Sequence, residues 1–234
     1  MSGTVHRFFV APGTLAQRER LPLPGELEHQ VRRVLRLRDG AEVVLLEGDG
    51  TEARCLIRGA ELVVTERRPS IGEPRHRLTV VQALLKGDGL EEAIRAATEV
   101  GVAAFALAVT DRTVARDLSP RKLERLRSVA REAAEQSERG MVPPVEAPRA
   151  LAELIGPGAV LLWERGSGDQ PGLAALDAPS RLVIGPEGGF TPDEVAAAER
   201  AGATLAGLGP RILRAASMAP MAAAVVLSRA GDFA

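Results

Sequence analysis

A chain of 234 residues that is 45% hydrophobic can bury one large core or two small ones, which excludes an intrinsically disordered protein. Its formal net charge of −1 announces no polyanion partner in bulk, and its single cysteine excludes an intrachain disulfide and any thiolate metal cluster. The longest apolar runs, residues 78–85 and 218–227, fall short of the roughly 20 residues of a membrane span. The first ten residues have no apolar stretch of the secretory kind, so a cytoplasmic protein with no membrane partner is expected.

Residues 7–10, 42–46, 53–57 and 61–65 read as short strands, separated by turn signals at Asp39-Gly40 and Gly48-Asp49-Gly50. They predict a small β-barrel-like domain over residues 1–70, with Cys55 as a buried core thiol. Pro69, Gly72 and Pro74 then interrupt any regular element and mark a boundary. From Leu78 onward strands alternate with helices over a second domain, residues 75–234, the signature of parallel α/β architecture. Strands are expected at 78–85, 105–109, 159–163, 181–184 and 204–208. Helices are expected at 90–100, from Ser119 as N-cap with Pro120 at its first position, from Thr191 in a capping box, and at 218–229.

Charge is unevenly spread. Arg112, Arg116, Arg121, Lys122, Arg125, Arg127 and Arg131 stand against only Asp117 and Glu124, and Arg32, Arg33, Arg36 and Arg38 lie within ten residues free of acids. Such clusters suit phosphate contact through the guanidinium fork, or they are simply solvated helix faces. His6, His29 and His76 have no ligand spacing, so no metal site is expected.

Two turns carry the chemistry. Ile184-Gly185-Pro186-Glu187-Gly188-Gly189-Phe190 joins a buried strand to a capped helix, the place where open α/β sheets hold ligands. It is neither a P-loop nor a dinucleotide fingerprint, and alone it fits a structural turn as well as a ligand loop. About twenty residues on, Leu208-Gly209-Pro210-Arg211-Ile212-Leu213-Arg214 again links strand to helix. Its apolar Ile212 and Leu213 between arginines either line a pocket for a flat, partly apolar ligand or anchor the loop on the core.

The two turns together, in this order, resemble the RsmE family of bacterial small-subunit ribosomal RNA uridine N3-methyltransferases, within the SPOUT class. Arg7-Phe8-Phe9, Val34-Leu35-Arg36, Lys86, Glu99-Val100-Gly101-Val102, Asp111-Arg112, and Glu132-Ala133-Ala134-Glu135-Gln136-Ser137 with Arg139 extend the resemblance nearly end to end. It implies an N-terminal PUA-like RNA-binding β-barrel and a C-terminal SPOUT α/β domain with a deep trefoil knot whose loops hold S-adenosylmethionine. It also implies a homodimer acting on 16S rRNA or the small ribosomal subunit, without a metal.

The implied cofactor contacts are Leu162, Glu164, Ile184, Gly185, Pro186, Glu187, Gly188, Gly189, Leu208, Gly209, Ile212, Leu213 and Ser217. Arg112, Arg139 and Arg214 are candidates for steadying the uridine anion during transfer. Arg7, Arg32, Arg33, Arg36, Lys86, Arg121 and Arg125 are candidate RNA contacts. No residue is assigned as the base; Glu187 and Glu164 are the carboxylates nearest the expected pocket, and Glu187 is expected either to act there or to accept backbone N–H groups. The chain departs from the family at Ala215-Ala216-Ser217-Met218, where Thr-Glu-Thr-Ala is usual, at Ala96 in place of a basic residue, and at Gln30 in place of a second histidine. Ser217 is expected to cap the last helix in place of the lost glutamate. A non-catalytic RNA-binding or ribosome-assembly protein that has kept the fold is the rival reading.

Overall fold

The computed structural model describes residues 5–16, 18–114, 116–163 and 170–233. The chain divides into two compact units, one of Met1–Glu73 with Ala134–Val142, the other of Pro74–Ala133 with Pro143–Ala234.

In the first unit, β1 (His6–Phe9) and β2 (Arg20–Pro22) are followed by a helical stretch and by β3 (Glu42–Leu46), β4 (Thr51–Arg58) and β5 (Glu61–Pro69). The sheet order is β1-β3-β4-β5-β2, with β1 parallel to β3 and the other neighbours antiparallel. Phe8, Leu21, Val43, Leu45, Cys55, Ile57 and Leu62 fill its core, and burial pushes the Cys55 thiol up to about 11. The thiol is thus the inert core group expected.

Two elements of this unit lack a sequence signal. β2 is three residues long, too short for an alternation to register. The helical stretch is α1 (Gly25–Glu28) running into a π-helix at His29–Val34, from which Leu27 and Val31, four apart, face the core. The stretch ends with Arg36 in the left-handed region at φ 55° while Leu37 donates back to the Val31 carbonyl at 2.9 Å.

Two arginines read as RNA contacts are used inside this unit. Arg7 is 8% exposed and pairs with Glu52, itself 1% exposed. Burial raises the Glu52 carboxyl, but hydrogen bonds from Arg68 and Arg7 outweigh it and hold the group below its ordinary value. Arg7 is therefore a core ion-pair member and not a surface contact. Arg32 is likewise committed, donating to the carbonyls of Leu37 and Gly59 and to Asp39. Arg33 and Arg36 are exposed and, among the described residues, have no acidic partner.

The stretch Ala134–Val142 returns to this unit, which the sequence reading did not anticipate. The Glu73 carboxylate explains it by accepting from Arg139 at 2.8 and 3.1 Å and from the N–H groups of Gly140 and Met141 at 3.1 and 3.0 Å.

The second unit runs β6 (Thr79–Ala83), α2 (Gly89–Val100), β7 (Ala104–Val109), α3 (Pro120–Gln136, whose last turn falls in the first unit), β8 (Arg149–Ala150) and α4 (Leu151–Leu154). It continues with β9 (Ala159–Leu162), a 3-10 turn at Leu173–Ala175, β10 (Arg181–Ile184), α5 (Pro192–Arg200), β11 (Thr204–Ala206) and α6 (Ala215–Arg229). All six strands are parallel, in the order β11-β9-β10-β6-β7-β8. Such a sheet must be covered on both faces, which accounts for the wholly apolar β7 and β9. Val81, Ala106, Leu161 and Val183 pack with Phe190, Val195 and Ala198 on the α5 side. Ile94 and Ala97 of α2, and Ala219, Ala223, Val226 and Leu227 of α6, are buried as well.

Local signals of helix entry are obeyed where they are strong. Ser119 accepts from the Lys122 N–H at 3.2 Å, and Thr191 forms the full capping box with Glu194. The last helix differs from expectation by starting at Ala215 with Arg214 as N-cap and no side-chain cap. Ser217 therefore lies inside the first turn and does not cap it. Alanine at 215 and 216 favours helix, so the turn forms before the apolar periodicity begins. Among the described residues no helix is long and apolar enough to cross a membrane.

Candidate active site

β11, β9, β10 and β6 lie side by side in that order, so the loops leaving their C-terminal ends gather on one edge of the sheet. The turn after β10 is sewn to its neighbours through three anchors. Glu187 Oε1 accepts the Lys86 N–H at 2.9 Å, tying the turn to the segment after β6. Glu194 accepts the N–H groups of Asp111 and Thr191, both at 2.8 Å, tying the start of α5 to the segment after β7. Arg112 Nη1 donates to the carbonyls of Gly188 at 2.8 Å and Phe190 at 3.2 Å.

The glycines make this tightness possible. A Cβ on Gly185 would come within 3.1 Å of the Phe190 ring, and one on Gly188 within 3.3 Å of Arg112 Cβ. Gly189, at φ 67°, donates to the Pro186 carbonyl at 2.9 Å to close the turn.

The turn after β11 faces this one across a narrow cleft of about 60 Å³. Leu162, Ile184, Gly185, Pro186, Glu187, Gly189, Ile212 and Leu213 line it, joined by Ala215 and Met218. The cleft opens into a groove of about 450 Å³ that shares Glu187, Ile212, Leu213 and Ala215 and adds Leu85, Gly89, Glu92, Arg214 and Ala216. The narrow part alone is below the roughly 300 Å³ at which small-molecule sites begin, whereas the groove is not. Ile212 is 82% exposed, an apolar side chain that a bound ligand would cover and that nothing in the core requires. A separate cavity of about 260 Å³ beside α4 and α5 includes Asp111 and Glu194, whose bonds to the turn leave it little chemistry of its own.

Most residues expected around a cofactor thus meet in one place. Gly188, Leu208, Gly209 and Ser217 do not line the cleft; Gly188 instead offers its carbonyl to Arg112, and Gly209 supplies φ 86° to its turn. Glu164 lies outside the described residues. Sequence reasoning missed Leu85, Gly89, Glu92, Ala215, Ala216 and Met218. Small and apolar side chains at a helix start carry no chemical signature, and Glu92 reads as an ordinary first-turn acid.

The three catalytic candidates separate. Arg214 lines the groove. Arg112 spends its guanidinium on the turn's carbonyls and positions it. Arg139, 2% exposed and paired with Glu73 in the first unit, is a structural ion-pair member, which corrects its candidacy. Of the expected RNA contacts in this unit, Lys86 and Arg121 are exposed, while Arg125 is shared between Glu91 and Glu132.

Residues 72–228 match the family described as RNA methyltransferase domain. The ribosomal RNA small subunit methyltransferase E of Mycobacterium bovis is 39% identical over 210 residues, covering 82% of this chain and 80% of the relative. The protein of that name from Synechocystis is 34% identical over 234 residues, covering 94% and 77%. The crystal structure of the corresponding Neisseria gonorrhoeae protein, bound to S-adenosyl methionine, superposes with a TM-score of 0.86 at 26% identity over 96% of this chain and 97% of that one. A matched segment that contains both turns and every residue lining the cleft, together with relatives aligned over most of their length, places this chain in the RNA methyltransferase domain family, among the ribosomal RNA small subunit methyltransferase E proteins.

Proposed function

We propose that this protein transfers a methyl group from S-adenosylmethionine to N3 of a uridine in the RNA of the small ribosomal subunit, in the cytoplasm and as a homodimer. The observation that carries this reading is the cleft between the turns after β10 and β11, lined as a partly apolar ligand requires. The residues present fit the cofactor. Leu162, Ile184, Ile212, Leu213 and Met218 offer apolar surface to a nucleobase, the glycines allow close main-chain approach, and the second Glu187 oxygen is left to face a polar or cationic group. The Neisseria relative, crystallised with this compound, supports the reading.

When bound, the cofactor supplies an electrophilic methyl group on a sulfonium. The chain's own task is to hold the acceptor in line with it, because most of the gain in such a reaction comes from orientation. A paired or stacked uridine has to be turned out to reach the groove. As its N3 proton leaves, negative charge spreads over the ring, and Arg214 is placed to stabilise it. Arg33, Arg36, Lys86 and Arg121, exposed and without acidic partners among the described residues, are the RNA contacts this account retains. We infer further that residues 1–70 form a PUA-like RNA-binding barrel and that residues 75–234 carry the trefoil knot. The cleft shared by the two turns weighs against a relative that has merely kept the fold.

Calorimetric titration with S-adenosylmethionine tests the reading. Saturable binding with one site per chain is expected; no heat at millimolar cofactor would overturn it.

A further inference from the structure

We propose that Glu92 accepts the N3 proton of the target uridine, an inference that rests on the methyl transfer above and names the base that reaction needs. Among the described residues, three ionisable side chains line the 450 Å³ groove: Glu92, Glu187 and Arg214. The Arg214 guanidinium offers donors and no acceptor, so it is not the base. Glu187 already has one oxygen on the Lys86 N–H and serves to hold the turn. The Glu92 carboxylate is exposed to the groove and, among the described residues, has no hydrogen-bond or ion-pair partner.

Its neighbour gives the contrast. Glu91 and Glu92 are successive residues in the first turn of α2, so their side chains point about 100° apart around the helix. Glu91 faces α3, where Lys122 at 2.5 Å and Arg125 at 3.2 Å hold it below the usual carboxylate range. Glu91 thus serves the helix start and the packing of α3. Two adjacent acids in such different settings mark a division of labour, and Glu92 is the one whose carboxylate is accessible from the groove.

Ala216 stands on the wall of the groove opposite Glu92. The first turn of α6, which carries Ala216, comes so close to α2 that a Cβ on Gly89 would lie 3.8 Å from the Ala216 Cβ. Ala216 and Glu92 line the same groove from facing helices. α6 has no acid in its first turn. Glu92 supplies a carboxylate to that space from the opposite wall.

The step balances without further reagents. The N3–H bond breaks and its proton passes to a Glu92 oxygen. The N3 electron pair forms the new bond to the methyl carbon while the methyl–sulfur bond breaks and leaves its pair on sulfur. Glu92 then releases the proton to water as product leaves.

Single-turnover methylation of small-subunit rRNA by the full chain, followed from about pH 6 to about pH 9, tests this. At neutral pH, Glu92→Gln is expected to react roughly 100-fold more slowly, the lower range of general-base contributions, with a rate that climbs in proportion to hydroxide. The wild type, which carries its own carboxylate base, is expected not to follow hydroxide in this way. Calorimetric affinity for S-adenosylmethionine is expected to change less than about twofold, since Glu92 acts on the acceptor. Glu92→Asp, which keeps an acid, is expected to retain the wild-type profile at reduced rate. Adding Ala216→Glu to Glu92→Gln is expected to restore both rate and profile. A Glu92→Gln enzyme whose pH profile parallels the wild type, at whatever absolute rate, overturns the proposal, as does a double variant with no recovery. A wild-type protein that transfers no methyl group refutes the underlying reaction instead.

Discussion

An Arg112→Ala variant is expected to bind S-adenosylmethionine about 10- to 100-fold more weakly than the wild type while keeping its fold. The side chain donates to two main-chain carbonyls, Gly188 and Phe190, on either side of the glycine that closes the turn. Hydrogen bonds from a charged donor contribute about 1.5 to 3 kcal/mol, and every 1.4 kcal/mol is roughly tenfold in affinity. The loss falls on the ligand because Arg112 is exposed and touches no core cluster, so the turn loosens while the sheet beneath it remains. Arg112→Lys is expected to recover part of the loss, since an ammonium lacks the rigid planar fork. Calorimetry beside thermal melting separates the effects. Equal affinity with a lowered melting temperature would make Arg112 a stability residue and remove it from the site.

Glu73→Ala is expected to destabilise the protein by about 3 to 5 kcal/mol, the usual consequence of removing one partner of a buried pair. Glu73 holds Arg139, which is 2% exposed, by two hydrogen bonds and the following two N–H groups by two more. For a chain of this size the melting temperature should fall by roughly 10 °C. Glu73→Gln should fall between, because it keeps an acceptor for the N–H groups and loses the charge. An Arg139→Ala protein is therefore expected to lose methylation through instability; a variant that melts like the wild type yet is inactive would return Arg139 to the reaction. A shift below about 2 °C for Glu73→Ala would show that the pair is not structural.

The parts of this molecule legible in its sequence are those governed by neighbours in the chain. The capping box at Thr191, the cap at Ser119 and the strand at Arg181–Ile184 depend on local hydrogen bonds and on an apolar run, and all three are present. The two glycine turns were legible for the same reason, and their meeting at one sheet edge followed from parallel order. What was not legible depends on distant partners. The sequence offered Arg7 and Arg32 as RNA contacts and Arg139 as a catalytic candidate, yet Glu52, Asp39 and Glu73 take them up in the first unit. No spacing rule links Glu73 to Arg139, so the return of Ala134–Val142 to the first unit could not be read. The misplaced start of α6 had a local cause: the alanines before Met218 form helix without an apolar stripe, and with them went the expected role of Ser217.

The most direct test of the central claim is methyl transfer itself. Incubating the protein with isotopically methyl-labelled S-adenosylmethionine and unmodified small-subunit rRNA, followed by nuclease digestion and mass spectrometry, is expected to place the label on N3 of one uridine. Label on no nucleotide, from protein shown by calorimetry to bind the cofactor, would contradict the account.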